Sequence, residues 1–565
     1  MIYQPEMVEQ PDLRRADWRF LLPRASGERF EHLAVLGGPA GLAGAMAAAG
    51  AARRVSDCIP ASESVDALAV LHDSPVRLAD AARSLSPDGV LYYEVKRPAT
   101  GNVFATPNRV CREMRELGLR PSGVYWVTPD FTNYRQYVPV DAAGAVRWYL
   151  TTRYAPLSAR QYLLGKMACF AAWRMGERVG ACVPNFAVVA TASGSSSVEP
   201  AILTHPVATK ILGGSLARPL LLTNGADNGS RVIILPFTAD AATPRAVLKA
   251  TRLAVFNANI EREQQTLAEI RSHLDGSLRR SIPQPLGIYH DRDLAVGAES
   301  YASGRSLLIS SWQWRRPMRD KVEDLRLVAN WLGTFNRRFQ HPAAAWSGWE
   351  LRHEMDALIA AYIQAFGSTP QEDRLWANLR QYIDSLQGVC VPITRRHIDF
   401  VPTNVYRDNQ ALSVIDWEDR GFDFEGFGPA LCDLLHFTAH WGAAVHGVHA
   451  PGLQHQTFSR LFLEPNGHAV DVNMARRLIA AYMRKCGVAP CLYPVLLVYT
   501  SVEHALERLN RQMVYASSSD LASRQNNRYV KHIECLAENV DLLFSAGLGR
   551  QILGADDGAR RLVSA

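Results

Sequence analysis

The sequence predicts a multidomain chain in which an N-terminal α/β domain is followed by an α+β domain with two lobes. The chain has 565 residues, whereas a single domain usually has roughly 100 to 200. Short apolar runs alternate with helical stretches between residues 31 and 128, and later the pattern changes to hairpin strands and then to helix. The predicted units are an N-terminal domain at 1–192, a linker at 193–205, a small lobe at 206–303 and a large helical lobe at 304–565.

The N-terminal pattern consists of apolar strands that are separated by helices. Strands are predicted at "HLAVLGG", "ARRVSD", "DALAVLHD" and "GVLYYEV", and a later one at 185–192. Uninterrupted apolar strands that alternate with helices are typical of a parallel sheet with both faces covered. The following run "SGSSSVEP" predicts the linker, because Ser, Gly and Pro resist regular structure.

The C-terminal part begins with antiparallel strands. The stretch "RPLLLTNGADNGSRVIILPF" predicts two strands joined by a polar loop, and "RAVLKATR" predicts a third strand that contains Lys249. A helix is predicted over about 257–274, with Ile260, Glu263 and Leu267 on one apolar face. A buried carboxylate needs a cation, so the sequence predicts an ion pair between Glu263 and Lys249.

A polar stretch interrupts the helices of the large lobe. The segment "RRHIDFVPTN" places His397, Asp399 and Asn404 within ten residues, and Asp416 follows in "VIDWED". Phosphoryl transfer from ATP requires a lysine at the phosphates, oxygen ligands for magnesium and a carboxylate that orients the attacking hydroxyl. The second half of the chain contains these groups in that order, which predicts a phosphotransferase site.

These motifs resemble the catalytic loop of the aminoglycoside phosphotransferase and choline kinase family, whose members are protein-kinase-like. The resemblance covers about residues 206–565 and extends to Gly428, Pro429 and Asp433 in "GPALCDL". It implies a bilobal α+β fold, ATP and Mg²⁺ as cofactors, and transfer of the γ-phosphoryl group to a hydroxyl of a sugar, aminoglycoside or amino alcohol. The chain departs from the family at Ile398 and at "FVPT", which alters packing rather than the metal-binding set.

The resemblance also implies roles for single residues. Asp399 would orient the substrate hydroxyl, and Lys249 and Glu263 would complete the catalytic set. The stretch "AESYASG" resembles the segment where backbone groups meet adenine. The residues expected at the nucleotide are Lys249, Asn224, Gly225, Gly229, Glu299 and Tyr301.

Metal binding and loop support are implied in the same way. Asn404 and Asp416 would bind magnesium, while His397 and Asp433 would hold the catalytic loop by hydrogen bonds. Four carboxylates just after Asp416 could receive a cationic amine of the substrate, and a solvated acidic loop explains them equally well. These residues of the possible substrate rim are Glu418, Asp419, Asp423 and Glu425.

The N-terminal domain resembles a class I methyltransferase, which has a Rossmann-like α/β fold. The resemblance covers about residues 28–192 and rests on "LAVLGGPAGLAGAM" and on the turn "SPDG" before a late strand. That family uses an acid before the glycine turn to hold S-adenosylmethionine, whereas this chain has Val35 and Leu36 there. A degenerate domain with a structural glycine turn is the favoured interpretation, and S-adenosylmethionine binding stays open beside it.

Composition and charge exclude several classes of partner. Lys and Arg number 61 against 55 Asp and Glu, without a run of like charge that would indicate nucleic acid or a membrane surface. No window is apolar enough to span a bilayer, and the start lacks the order of a secretory signal, so the chain is expected to be cytoplasmic. The nine cysteines are odd in number and scattered, which favours reduced thiols.

The expected partner is therefore a small hydroxyl-bearing molecule, and the oligomeric state stays open. Two alternatives to a kinase remain. The chain could be a bifunctional kinase and S-adenosylmethionine-dependent methyltransferase, or a non-catalytic ATP-binding scaffold.

Overall fold

A computed structural model describes most of the chain. The described residues are 13–25, 27–59, 64–96, 106–133, 135–153, 159–175, 183–194, 199–214, 217–223, 225, 228–238, 241–313, 316–340, 345–386, 388–417, 426–448, 451–464, 469–515 and 524–545. They form one twelve-stranded sheet, two small sheets and a large helical lobe. None of the helices in these ranges is both long and apolar enough to cross a membrane.

The N-terminal part contains the strands and helices that the apolar pattern predicts. Its strands are β1 (Phe30–Leu36), β2 (Ala52–Ser56), β3 (Val65–Val70), β4 (Leu85–Lys96), β5 (Leu119–Thr128), β6 (Gln136–Pro139) and β7 (Asn185–Ala192). Its helices are a 3-10 helix (Leu13–Leu21), α1 (Leu42–Ala48), α2 (Leu78–Arg83), α3 (Pro107–Glu116), α4 (Ala143–Trp148), a π-helix (Tyr149–Arg153) and α5 (Ala159–Met175). The strands β2, β1, β3 and β4 are parallel neighbours in that order, and β7 adds to β4 antiparallel.

The next part is an antiparallel sheet with a helix on one face. It consists of α6 (Ala201–Thr204), α7 (Pro206–Leu212), β8 (Ala217–Leu222), β9 (Val232–Thr238), β10 (Val247–Ala250), a 3-10 helix (Ala254–Phe256), α8 (Asn257–His273), α9 (Gly276–Arg280), β11 (Pro285–Asp291) and β12 (Leu294–Glu299). Ile202 and Leu203 of α6 are buried, although this stretch falls within the predicted linker. The domain boundaries stay a prediction.

The two parts share a single sheet, because β6 pairs with β8 through Tyr137 and Leu221. The strand order is β11-β12-β10-β9-β8-β6-β5-β7-β4-β3-β1-β2. The N-terminal 3-10 helix adds a buried ion pair, in which Asp17 Oδ2 lies 2.7 Å from Arg252 Nη2 and neither side chain is exposed. The N-terminal part and the antiparallel part are therefore packed as one body around this sheet.

The large lobe is mostly helical. Its helices are α10 (Leu307–Trp312), α11 (Met318–Phe339), α12 (Gly348–Phe366), α13 (Pro370–Asp384), α14 (Cys432–Val445), α15 (Pro451–Phe462), α16 (Val470–Cys486), a 3-10 helix (Pro490–Leu492), α17 (Tyr493–Tyr515), α18 (Arg528–Glu538) and α19 (Val540–Leu543). Its strands are β13 (Arg305–Ser306), β14 (Ile393–Arg395), β15 (Val405–Asp408), β16 (Ala411–Val414) and β17 (Phe427–Pro429). Strands β14, β15 and β16 flank the polar stretch, and Ile393, Val405 and Val414 anchor them in the apolar core of the lobe.

Candidate active site

A buried ion pair joins the antiparallel sheet to helix α8. Lys249 of β10 places its Nζ 2.5 Å from Glu263 Oε1 and 3.1 Å from Glu299 Oε1 at the end of β12. Asp416 Oδ1 lies 3.8 Å from the same nitrogen. Burial alone lowers the pKa of Lys249, but these three carboxylates outweigh it and raise the pKa above its ordinary value. Lys249 therefore stays a cation in this site.

A glycine lets α8 approach the sheet closely enough to form this pair. Gly297 of β12 pairs with Lys249 in the register, and it faces the helix. A Cβ atom at Gly297 would lie 2.9 Å from Ile260 Cγ2, which is closer than side chains pack. The absence of a side chain at Gly297 therefore sets the distance between Glu263 and Lys249.

Arg231 is a second buried cation of the site, and the sequence analysis missed it. Its Nη1 lies 3.0 Å from Glu263 Oε2 and 3.4 Å from Asp416 Oδ1. Glu263 thus contacts two cations, one with each oxygen. The available signal was a charge directly before the apolar run "VIILPF" of β9, but a residue beside a polar loop is ordinarily solvent-exposed.

Asp433 holds the loop that precedes Asp399. Near the N-terminus of α14, its carboxylate accepts hydrogen bonds from His397 N at 2.7 Å and from Ile398 N at 3.3 Å. Ile398 has a φ of 67°, in the left-handed region that residues other than glycine seldom occupy. His397 Nε2 lies 2.8 Å from Ile415 O, which ties this loop to the segment before Asp416. His397 and Asp433 thus lie where loop support requires them.

Asp399 and Asn404 are in direct contact. The Asn404 Nδ2 group donates to Asp399 O at 3.0 Å and to Asp399 Oδ2 at 3.1 Å. Desolvation is the main cause that raises the pKa of Asp399, and the charges of Glu507 and Asp416 add to it. A raised pKa gives the Asp399 carboxylate a higher proton affinity, which suits a group that receives a hydroxyl proton.

The donor set beside Asp399 fits magnesium. Because Asn404 turns its Nδ2 group to Asp399, its Oδ1 faces away from that carboxylate. The Ile415 N–H donates to Asn404 O at 2.9 Å, and this brings Asp416 next to Asn404. The Asp416 side chain is one-third exposed, so part of it is open to solvent. An amide oxygen and a carboxylate are hard ligands of the kind that Mg²⁺ shares with phosphates and water.

The predicted glycine-rich loop is packed tightly where the structure describes it. A Cβ atom on Gly225 would lie 2.0 Å from Ser230 Oγ, so glycine is required at this close approach. Gly229 lies in the turn before Ser230. The buried Asn228 accepts a hydrogen bond at 3.4 Å from Leu13 N of the first helix, which links the loop to the N-terminal part.

The N-terminal part covers the sheet face next to Lys249. Val247 lies two residues before Lys249 in β10, so both side chains point to the same face. Val247 and Tyr301 pack in one cluster with Trp148 and Tyr149. The Trp148 Nε1 group donates to the Tyr301 hydroxyl at 2.7 Å, and Tyr301 is thereby engaged by the N-terminal part.

Among the other residues expected at the nucleotide, Glu299 forms an ion pair with Lys249. Burial raises the pKa of Glu299 above its ordinary value, although Lys249 opposes this. Some predicted residues fall outside the described part of the chain. They are Asn224, Glu418, Asp419, Asp423 and Glu425.

A cavity of about 390 Å³ opens beside Asp399 on the side of the helical lobe. Residues from α10, α14, α17 and α18 line it, together with the loop that contains Thr403. Its walls carry several arginine and histidine side chains, which the sequence analysis did not assign to the site. Their placement depends on how distant helices pack, so residue spacing gave no signal for them.

The glycine turn of the N-terminal part borders a second cavity, of about 250 Å³. Gly37 and Gly38 have φ angles of 84° and 83°, and a Cβ atom on Gly37 would lie 2.6 Å from Asp73 Oδ1. The Gly38 N–H donates to Asp73 Oδ1 at 2.7 Å. His72 and Glu94 face this cavity and form a pair with 3.1 Å between His72 Nδ1 and Glu94 Oε2.

Comparison with known proteins gives similarity to solved structures alone. No family model and no curated protein matches this chain. It is similar to a choline/ethanolamine kinase family protein from Mesorhizobium loti, with 12% identity over 62% of this chain and 95% of that one and a TM-score of 0.35. It is also similar to a protein described as a fructosamine-3-kinase from Thermobifida fusca YX-ER1, with 18% identity, 55% and 98% coverage and a TM-score of 0.27. At these values, function has to be derived from the side chains of the site.

Proposed function

We propose that this chain is an ATP- and Mg²⁺-dependent small-molecule kinase that transfers the γ-phosphoryl group to a hydroxyl. One observation carries the proposal. Side chains from distant parts of the sequence lie close together, because Asp416 lies near Lys249 and Asn404 contacts Asp399. Phosphoryl transfer depends mainly on positioning and on stabilising charge, and this set provides cations, oxygen ligands and a carboxylate side by side.

Lys249 and Arg231 are the residues that would stabilise phosphate charge. Both are buried and held by Glu263, so little reorganisation is needed when negative charge develops beside them. Asn404 and Asp416 would hold Mg²⁺, which neutralises phosphate charge when bound. Asp399 would orient the acceptor hydroxyl and take its proton, because its carboxylate borders the open cavity and has a raised pKa.

Replacement of Asp399 tests this proposal. In the Asp399→Ala variant, ATP-dependent phosphorylation of an acceptor should fall by at least roughly 100-fold, the lower end of general base contributions, because the hydroxyl proton loses its acceptor. ATP binding, measured by calorimetry with Mg²⁺, should persist because Lys249 and Asp416 remain. Normal turnover by this variant would contradict the proposed role of Asp399.

The acceptor classes that the sequence suggests are sugars, aminoglycosides and amino alcohols. A screen of phosphate transfer across these classes, and across hydroxy acids, would identify the reactive group. A scaffold that binds ATP without transfer would give nucleotide binding by thermal shift but no product with any acceptor.

The second cavity supports a second candidate, a bifunctional protein that also binds S-adenosylmethionine. The supporting observation is that the glycine turn opens onto a cavity with the His72–Glu94 pair on its wall. Calorimetric titration with the methyl donor tests it. The titration should use the full chain, because the N-terminal strands continue into the antiparallel sheet. No heat of binding would exclude the second activity.

A further inference from the structure

The cavity beside Asp399 has cationic walls. Arg508 and Arg511 come from α17 and Arg528 from α18, and all three line it. The carboxylates on the same walls are Asp399 and Glu507. The described lining therefore has three guanidinium groups against two carboxylates.

Two of these arginines lack an acidic partner among the residues that the structure describes. Arg508 is half-buried, and its buried Nε has no hydrogen-bond partner there. Burial is the main cause that lowers the pKa of Arg508, and the like charges of Arg528 and Arg511 lower it further. Arg528 contacts an imidazole instead, with 3.3 Å between its Nη1 and His440 Nδ1. Grouped cations of this kind repel each other, and an anion between them would relieve that repulsion.

The two carboxylates that line the cavity contact residues other than Arg508 and Arg528. Glu507 Oε2 lies 3.0 Å from His504 Nδ1, which holds this carboxylate against α17. Asp399 Oδ2 accepts a hydrogen bond from Asn404 Nδ2 at 3.1 Å, and the proposed function assigns this carboxylate to the reacting hydroxyl. Within the described residues, neither carboxylate forms an ion pair with Arg508 or Arg528.

Imidazole groups complete the wall as neutral hydrogen-bonding groups. Burial is the main cause that lowers the pKa of both His436 and His440 well below the ordinary value, so both are neutral at pH 7. The Tyr529 hydroxyl lies 2.8 Å from His436 Nε2 and 3.1 Å from His440 Nε2. His436 Nδ1 is buried and has no partner within the described ranges.

We infer that the acceptor is a hydroxyl-bearing small molecule with an oxyanion group, a carboxylate or a phosphate, which Arg508 and Arg528 bind while the hydroxyl faces Asp399. The inference rests on the proposed kinase function and narrows its substrate class. In the reaction, the acceptor oxygen bonds to the γ-phosphorus as its proton passes to Asp399. The bond from the γ-phosphorus to the bridging oxygen breaks, and its electron pair leaves with ADP.

The same walls disfavour amine-bearing acceptors. An ammonium group in this cavity would lie beside Arg508 and Arg528, which have no acidic partner among the described residues, and like charges at short range repel. Aminoglycosides and choline-like alcohols are therefore expected to be poorer acceptors than acidic sugars. Planar guanidinium groups match carboxylate and phosphate oxygens in pairs, which adds directional preference to charge.

The acceptor preference of the unmodified full-length protein tests the inference without any variant. Formation of ADP would be measured with gluconate, glucose 6-phosphate, glucose and glucosamine as matched acceptors. We expect kcat/KM for at least one of the two anionic acceptors to exceed that for glucose and for glucosamine by tenfold or more. The comparison of gluconate with glucose 6-phosphate also shows whether a carboxylate or a phosphate is the preferred oxyanion.

Variants then locate the anion. Arg508→Gln and Arg528→Gln should each raise KM for the anionic acceptor by about tenfold or more, the effect of about 1.4 kcal/mol, and Arg508→Lys should restore part of the loss. Lys531→Gln is the matched control on α18, because Lys531 pairs with Glu534 and does not line the cavity. Thermal melts of each variant would establish that it is folded.

The outcomes separate the inference from the function on which it rests. If the chain transfers phosphate but prefers glucosamine or glucose, or if KM for the anionic acceptor is unchanged in both glutamine variants, the anionic acceptor is wrong and the kinase stands. If ATP with Mg²⁺ is neither bound nor consumed with any acceptor, the proposed kinase function itself is overturned.

Discussion

Glu263 is the residue on which two buried cations of the site depend. One of its oxygens contacts Lys249 and the other contacts Arg231. Removal of one partner from a buried ion pair leaves an uncompensated charge, which is far more destabilising than loss of a surface pair. Helical spacing predicted that Glu263 faces inward, whereas the position of Arg231 beside a polar loop indicated a solvent-exposed side chain.

The Glu263→Gln variant should lower the free energy of unfolding by about 3 kcal/mol, the lower end for a broken buried pair, because Lys249 keeps Glu299 and Asp416. Urea denaturation would measure the change. Glu261→Gln is the matched control, since Glu261 is exposed on the same helix. The free energy of unfolding of this variant should stay within about 0.5 kcal/mol of that of the unmodified protein. Equal effects of both substitutions would contradict the importance of the buried contacts.

Asp399 gives a prediction for pH. Its folded-state pKa is raised above the ordinary value of 3.8, so the charged carboxylate destabilises the fold above that raised pKa and the penalty disappears as pH falls towards 3.8. Asp399→Asn should therefore melt at a higher temperature than the unmodified protein at pH 8, and the difference should shrink at acid pH. Thermal melts between pH 4 and pH 8 measure this. A difference that grows on acidification would have the wrong sign.

At the scale of elements, the site depends on how closely α8 approaches β12. Gly297 permits this approach, and the tie between His397 and Ile415 sets the spacing of the two loops that carry Asp399 and Asp416. These contacts position charged groups through packing rather than by direct participation. Apolar periodicity predicted α8, whereas the stretch that forms β12 was interpreted as a connector. The close approach at Gly297 depends on atoms from distant segments that sequence alone does not bring together.

The Gly297→Ala variant should push α8 outwards, because the new Cβ atom would lie 2.9 Å from Ile260 Cγ2 and 3.2 Å from Gln264 Nε2. We expect a loss of about 1 to 3 kcal/mol of stability, as for an overpacked core, and a lower kcat because Glu263 moves from Lys249. Gly44→Ala is the control, since a Cβ atom at that exposed helical position meets nothing within 4 Å. An unchanged kcat for Gly297→Ala would contradict the positioning role of α8.

At the scale of the whole molecule, one sheet runs from the N-terminal strands into the strands that carry the site. The sequence predicted most strands of the two sets as separate patterns, but it did not predict β6, β11 and β12. It also did not predict the pairing of β6 with β8, because strand pairing leaves no local signal. The Asp17–Arg252 pair strengthens the connection, and Trp148 reaches Tyr301 beside the site. We expect the N-terminal part to support the nucleotide-binding part rather than to act as a separate module.

This connection predicts cooperative unfolding of the N-terminal and antiparallel parts. Asp17→Asn removes the carboxylate from a fully buried Arg252. The substitution should lower the free energy of unfolding by about 3 kcal/mol or more, and both parts should unfold together at a lower temperature. Calorimetry would record the unfolding transitions, and the fluorescence of a bound nucleotide would report when the antiparallel part unfolds. Two independent transitions, of which only one responds to Asp17→Asn, would contradict the shared sheet as one folding unit.

Phosphorus NMR of the full-length protein with ATP, Mg²⁺ and a hydroxyl-bearing acceptor observes the proposed transfer itself. The γ-phosphate signal should decay while a phosphomonoester signal of the acceptor grows, and Asp399→Ala should prevent this although Lys249 and Asp416 remain. If no phosphomonoester forms with any sugar, aminoglycoside, amino alcohol or hydroxy acid, or if the Asp399→Ala variant forms it at the normal rate, the group of Lys249, Asp399, Asn404 and Asp416 is not a kinase active site.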